Sequence, residues 1–217
     1  MKIFITQHKT LAIFVILSVA VVILSLFSQS NDSPIKILVV QIAIGFLINF
    51  IFYVTLSYLP ERRKMIVANK IIVQRINRII ADMRAFPNAM IKQFPFDSSS
   101  RKEQIKHATH DFDSKIILEH AGLCLNYSGK MGKWIAEDLI YTKAKCVEEN
   151  IDFILKYYSY AVNPELDEIF NKILHTGVHT IFKTMHEHSA DFSNGSDEFV
   201  EYDKLADELE LVKESYL

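Results

Sequence analysis

The stretch ILVVQIAIGFLINFIFYVTLSYLP, residues 37–60, decides the fold: it runs for 24 positions without a charge. A helix rises 1.5 Å per residue, so this run reaches about 36 Å, enough for a hydrocarbon core of about 30 Å. Working outward, a second uncharged run, TLAIFVILSVAVVILSLFSQSN, occupies residues 10–31 and is 22 long. Only residues 32–36 separate the two. Spans at about 10–31 and 37–59 joined so closely predict a transmembrane hairpin over residues 1–60.

The charges around the hairpin orient it. Arg62, Arg63, Lys64 and Lys70 follow the second span, Lys2 and Lys9 precede the first, and the loop sets Lys36 against Asp32. The positive-inside rule then puts both termini of a multi-pass membrane protein in the cytoplasm. Cys124 and Cys146 fall in reducing cytosol and are expected as free thiols. A cleaved signal peptide is the competing reading of the first span, with Ser28 and Ser30 flanking a cleavage point. Its apolar core, residues 11–27, exceeds the usual length of about 7–15 residues, which favours a retained helix.

The second span carries a polar seam at intervals of four: Gln41, Gly45, Asn49, Tyr53 and Ser57. Glycine allows close backbone approach, and Gln and Asn hydrogen-bond across helices in lipid. Two readings stay open. The seam packs helices together, within the hairpin or in a homo-oligomer, or it lines an ion or water path that needs several copies.

Beyond the spans the net charge of −2 hides an asymmetry. Residues 61–106 hold eleven Lys and Arg against four acids, whereas residues 191–217 hold nine acids against two lysines. The basic block opens with an expected amphipathic helix over about 61–85, whose stripe is Ile72, Ile76, Ile79, Ile80 and Met83. It can lie on anionic lipid headgroups or pack on a soluble bundle. Pro87 and Pro95 are expected to end it, leaving residues 61–96 as a basic juxtamembrane helix and linker.

The remainder, 97–217, reads as a cytosolic helical bundle with an acidic C-terminal helix, so the fold class is all-α. Its expected helices cover about 100–125, 133–161, 163–188 (opened by Asn163 as N-cap and Pro164), and the acidic segment after Ser196. Stripe residues include Ile105, Phe112 and His120, then Val147, Ile151 and Ile154, then Leu205, Leu209, Val212 and Tyr216. The acidic helix can dock on the basic surface of the same chain, of a second copy or of a partner.

Catalytic signatures are missing, and an enzyme is not expected. There is no phosphate-binding loop, no nucleophile elbow and no paired C-x-x-C, and the chain holds only six glycines. Cys124, between Leu123 and Leu125, reads as buried and structural. Glu168, His175, His179 and His186 share one face of the expected third helix. The four-residue spacing of His175 and His179 makes them candidate ligands for one metal ion, with His107 or His110 as a third. The competing readings are a polar helix edge and protonation-sensitive packing. His110-Asp111 lacks the further residues of a metal-dependent phosphohydrolase. No metal or other cofactor and no small-molecule substrate is called for. The cations Arg62, Arg63, Lys64, Lys70, Arg75 and Arg78 suit lipid headgroups, nucleic acid or a partner protein.

Spans at 11–27 and 37–59 followed by an all-helical domain without enzymatic motifs give a plan that resembles the two-helix membrane effectors of bacterial anti-phage systems, especially those associated with retrons. The resemblance implies an inner-membrane toxin of an abortive-infection response, restrained by a reverse transcriptase and its RNA–DNA hybrid. On release it would permeabilise the membrane, with the basic block as the contact for its partner. The alternatives are a membrane-anchored adaptor or sensor, and an accessory subunit of a transporter or channel.

Overall fold

The computed structural model describes residues 15–24, 34–110, 112–125, 131–180 and 195–217. These residues are 82% helix and 8% strand. The chain divides into two compact units, Met1–Ile66 and Val67–Leu217.

The first unit contains α1 (Val15–Leu24), α2 (Pro34–Tyr53), a π-helical segment Val54–Tyr58, and the start of α3 (Leu59–Gln93). Among the described residues one helix is long and apolar enough to cross a membrane, within the continuous helical run Ile37–Gln93. As described, α1 spans only its apolar middle, and residues 10–14, 25–31 and the loop positions 32–33 lie outside the described residues. The expected two-span hairpin is therefore not clearly formed by the described residues. Leu17, Ser18 and Val21 of α1 and Val39, Ile42, Ala43 and Phe46 of α2 line one open groove. Ala43 is the buried hydrophobic residue there, while Ile42 and Leu56 stay 65% and 71% exposed.

The second unit is built on the rest of α3. Ala68, Ile72, Ile76, Ile79, Ile80, Met83, Phe86 and Met90 recur at helical spacing, and all are buried. The expected stripe is thus a core stripe, so this face of the helix packs in the domain. Pro87 does not break α3, which continues to Gln93. A proline inside a helix costs about 3 kcal/mol, and here packing offsets that cost. Pro87 is buried, and the neighbouring Phe86 ring meets Phe199 at 4.7 Å and Phe112 at 5.2 Å. The irregular stretch after α3 ends at α4 (Arg101–Thr109), just before which Ser98 Oγ accepts from Ser100 N–H at 3.1 Å.

A β-hairpin corrects the all-helical reading. β1 (Ile117–Leu125) pairs antiparallel with β2 (Met131–Ile135), from Ile117 opposite Ile135 to Leu125 opposite Met131. The register slips between Leu118 and Leu123, where Gly122 takes φ +80°, a conformation that favours glycine. Gln93 fixes the hairpin to the end of α3. Its side-chain amide donates to Ile117 O at 3.0 Å, and its side-chain oxygen accepts from Glu119 N–H at 2.9 Å. Leu118 is fully buried, but His120 is exposed and is not the expected core histidine. Cys124 is half-buried on the hairpin rather than enclosed.

α5 (Ala136–Tyr158) follows β2 directly and places Val147, Ile151 and Ile154 in the core. A 3-10 turn, Ser159–Ala161, leads to α6 (Pro164–Leu174). As expected, Asn163 is its N-cap, accepting from Leu166 N–H at 2.8 Å, with Pro164 in the first turn. α6 stops much earlier than the expected 188. The N–H groups of His175 and Thr176 bond back to Lys172 O and Ile173 O, and helical geometry resumes over 177–180 (α7). α8 (Gly195–Lys213) closes the core with Phe199, Leu205, Leu209 and Val212, followed by buried Tyr216.

Candidate functional site in the apolar span and its basic flank

Gln41, Asn49 and Tyr53 of the seam are exposed, and Gly45 is half-buried with open space where a Cβ would stand. Their position on α2 follows from helical rotation. At about 100° per residue, Gln41 lies roughly 150° from the centre of the arc that lines the α1 groove, Gly45 about 110° and Asn49 about 70°. Tyr53 comes round to about 30° from that centre. The seam therefore starts on the side away from α1 and winds toward it. The π-helical segment then interrupts it: Leu59 N–H reaches back five residues to Val54 O. This wider turn moves Ser57 off the line set by the four residues before it. Within the same turn the Thr55 hydroxyl donates to Ile51 O at 2.8 Å.

The basic residues separate into two kinds. Arg62, Arg63, Lys64, Lys70 and Arg78 have exposed surface. Arg75 is built into the domain, donating to Asn150 Oδ1 at 2.8 Å with its guanidinium 4.1 Å from the Phe153 ring centre. Arg62, Arg63 and Lys64 belong to the first unit and Lys70, Arg75 and Arg78 to the second.

The acidic helix docks on basic residues of its own chain. Arg101 grips buried Asp203 with two hydrogen bonds of 2.7 Å. Arg84 pairs with Asp207 and, at 3.2 Å, with Glu210, and Lys106 pairs with Asp197. The hydrogen bond to Asp203 holds the Arg101 pKa above its ordinary value. A partly buried Lys143–Asp82 pair at 2.6 Å ties α5 to α3. Cys146 nearby has its thiol pKa raised by burial and then by the Asp82 charge. The long acidic run signalled that α8 needed cations, but which ones depended on how the helices pack.

The histidines are not brought together. The break between α6 and α7 puts exposed His175 and buried His179 in different elements. His175 Nδ1 lies 2.7 Å from Asn171 O, and His179 Nε2 lies 3.2 Å from the Tyr202 hydroxyl. Burial raises the Tyr202 pKa strongly. Glu168 pairs with Lys172 at 2.8 Å, and the His107 ring stacks on Phe96. His186 and Asp111 lie outside the described residues. Among the described residues no group of three or more His, Cys, Asp or Glu is arranged for a metal ion.

No family model, curated protein or solved structure matches the chain. The functional reading therefore rests on the chemistry of the apolar helix and its flanks.

Proposed function

We propose that this chain is a membrane-integral effector: a hairpin of α1 and α2 enters the bacterial inner membrane with both termini cytoplasmic and perturbs the bilayer on release. One observation carries the membrane part. The helical run Ile37–Gln93 contains an 18-residue window of mean hydropathy 2.5, of which 6% is buried. A core helix of a soluble protein hides such a surface, and soluble monomers rarely expose one so large. The cations at Arg62, Arg63 and Lys64, directly after the apolar run, support the cytoplasmic assignment.

The effector part rests on the resemblance to the two-helix proteins of anti-phage systems. In that reading a reverse transcriptase with its RNA–DNA hybrid restrains the protein, and exposed Arg62, Arg63, Lys70 and Arg78 are the contact for it. The test is membrane potential and dye entry in bacteria that express the full chain from a tight promoter. Rapid depolarisation that disappears on deletion of residues 1–60 is the expected result. A chain extracted from membranes by alkaline carbonate would overturn the membrane reading. A carbonate-resistant chain that leaves potential and growth unchanged, even without any partner, would favour the adaptor.

A further inference from the structure

In lipid, a carboxamide turned toward hydrocarbon has no water to bond, so Gln and Asn within spans seek partners on other helices. The Gln41 and Asn49 side chains are exposed and take no hydrogen-bond partner among the described residues. Gln41 lies on the side of α2 turned away from the groove that it shares with α1, and Asn49 lies about 70° round from the centre of that groove, outside its lining. Midway between them Gly45 has nothing within 4 Å of the position a Cβ would take. Among the described residues the groove with α1 is thus lined by Val39, Ile42, Ala43 and Phe46 of α2, while a second, polar face with Gln41 and Asn49 stays exposed.

We infer that this second face, Gln41–Gly45–Asn49, is a self-association surface and that its occupant is α2 of another copy of this chain. The inference rests on the membrane reading above. Copies inserted by the same positive-inside signal have the same orientation, so their α2 helices run parallel. A two-fold axis along the membrane normal then sets each residue against its own counterpart. Carboxamides suit that symmetry because each holds both donors and acceptors, so Gln41 can bond Gln41 and Asn49 can bond Asn49. A charged pair placed against itself would repel. Gly45 lies at the crossing point, where the missing side chain lets the two backbones approach. Residues four apart form the ridge for a right-handed crossing, the geometry in which such ridges interdigitate.

The test is oxidative cross-linking of the full chain in membranes, in a background with Cys124→Ser and Cys146→Ser. Gly45→Cys fits without a clash, and Leu47→Cys, about 160° round the helix, is the control. The expected result is a disulfide-linked dimer at position 45, at least fivefold above that at 47. Adding Gln41→Leu and Asn49→Leu should reduce that dimer severalfold while leaving the chain carbonate-resistant. A carbonate-resistant chain that cross-links equally at both positions, or at neither, overturns the self-association face and leaves the membrane reading standing. A carbonate-extractable chain overturns both.

Discussion

At the scale of single residues, Asp203 is a buried charge that its neighbours must satisfy. Its carboxylate is nearly enclosed, at 7% exposure, and both of its oxygens accept from Arg101. Asp203→Ala leaves Arg101 without its acceptor and removes the carboxylate that stands 3.7 Å from Arg84 Nε. Because Arg101 itself is 41% exposed, water recovers part of the loss, and the expected cost is about 2 kcal/mol. Thermal unfolding of the detergent-solubilised chain, followed by circular dichroism, checks it. Ile76→Ala at a fully buried position of α3 should cost more, about 2–5 kcal/mol, by the same measurement. Ile76 was legible in the sequence because helical spacing singles out a stripe without any knowledge of its partner. The pairing of Asp203 with Arg101, 102 positions apart, was not legible, since no local pattern encodes it. The histidines failed for a related reason. A shared face requires an unbroken helix, and the Thr176 hydroxyl bonds Ile173 O at 2.8 Å just where the helix gives way.

At the scale of elements, caps proved easier to read than strands. Asn163 and Pro164 mark the start of α6 in the sequence, and the structure supplies the bond to Leu166 N–H. Asn163→Ala should cost about 1 kcal/mol, seen as faster amide exchange in the first turn of α6. The hairpin was missed because a short apolar run such as residues 116–118 fits a strand or a helix equally well. What selects the strand is non-local: Gln93, at the end of α3, bonds to the edge of β1. Gln93→Leu is therefore expected to lower hairpin amide protection by about 1–2 kcal/mol without unfolding α3. The hairpin also carries a pH signature. A hydrogen bond from Lys133, at 2.9 Å, holds Glu119 below its ordinary carboxylate pKa. A group with a lowered folded pKa contributes its full stability above the unfolded value of about 4.3 and loses it as pH falls through the folded one. Hairpin protection should accordingly decline below about pH 4.5, and Glu119→Gln should remove that dependence.

At the scale of the whole molecule, the charge asymmetry finds its use within one chain. The basic block and the acidic tail meet through Arg84, Arg101 and Lys106, so the second unit neutralises much of its own charge. The chain without residues 1–60 is expected to move from the membrane pellet to the supernatant, because the core stripe begins only at Ala68. Fractionation followed by circular dichroism checks both its location and its retained helicity. The sequence by itself determined the apolar run, its polar seam, the core stripes of α3, α5 and α8, and the cap of α6. Each of these depends on residue type and spacing along a few turns, and desolvation and helical periodicity act over that range. Only the tertiary structure decided that Pro87 stays inside a helix, that Ile117–Leu125 pairs with Met131–Ile135, and which cations meet α8. Those outcomes depend on groups far apart in the chain, whose packing outweighs local propensity by a few kcal/mol.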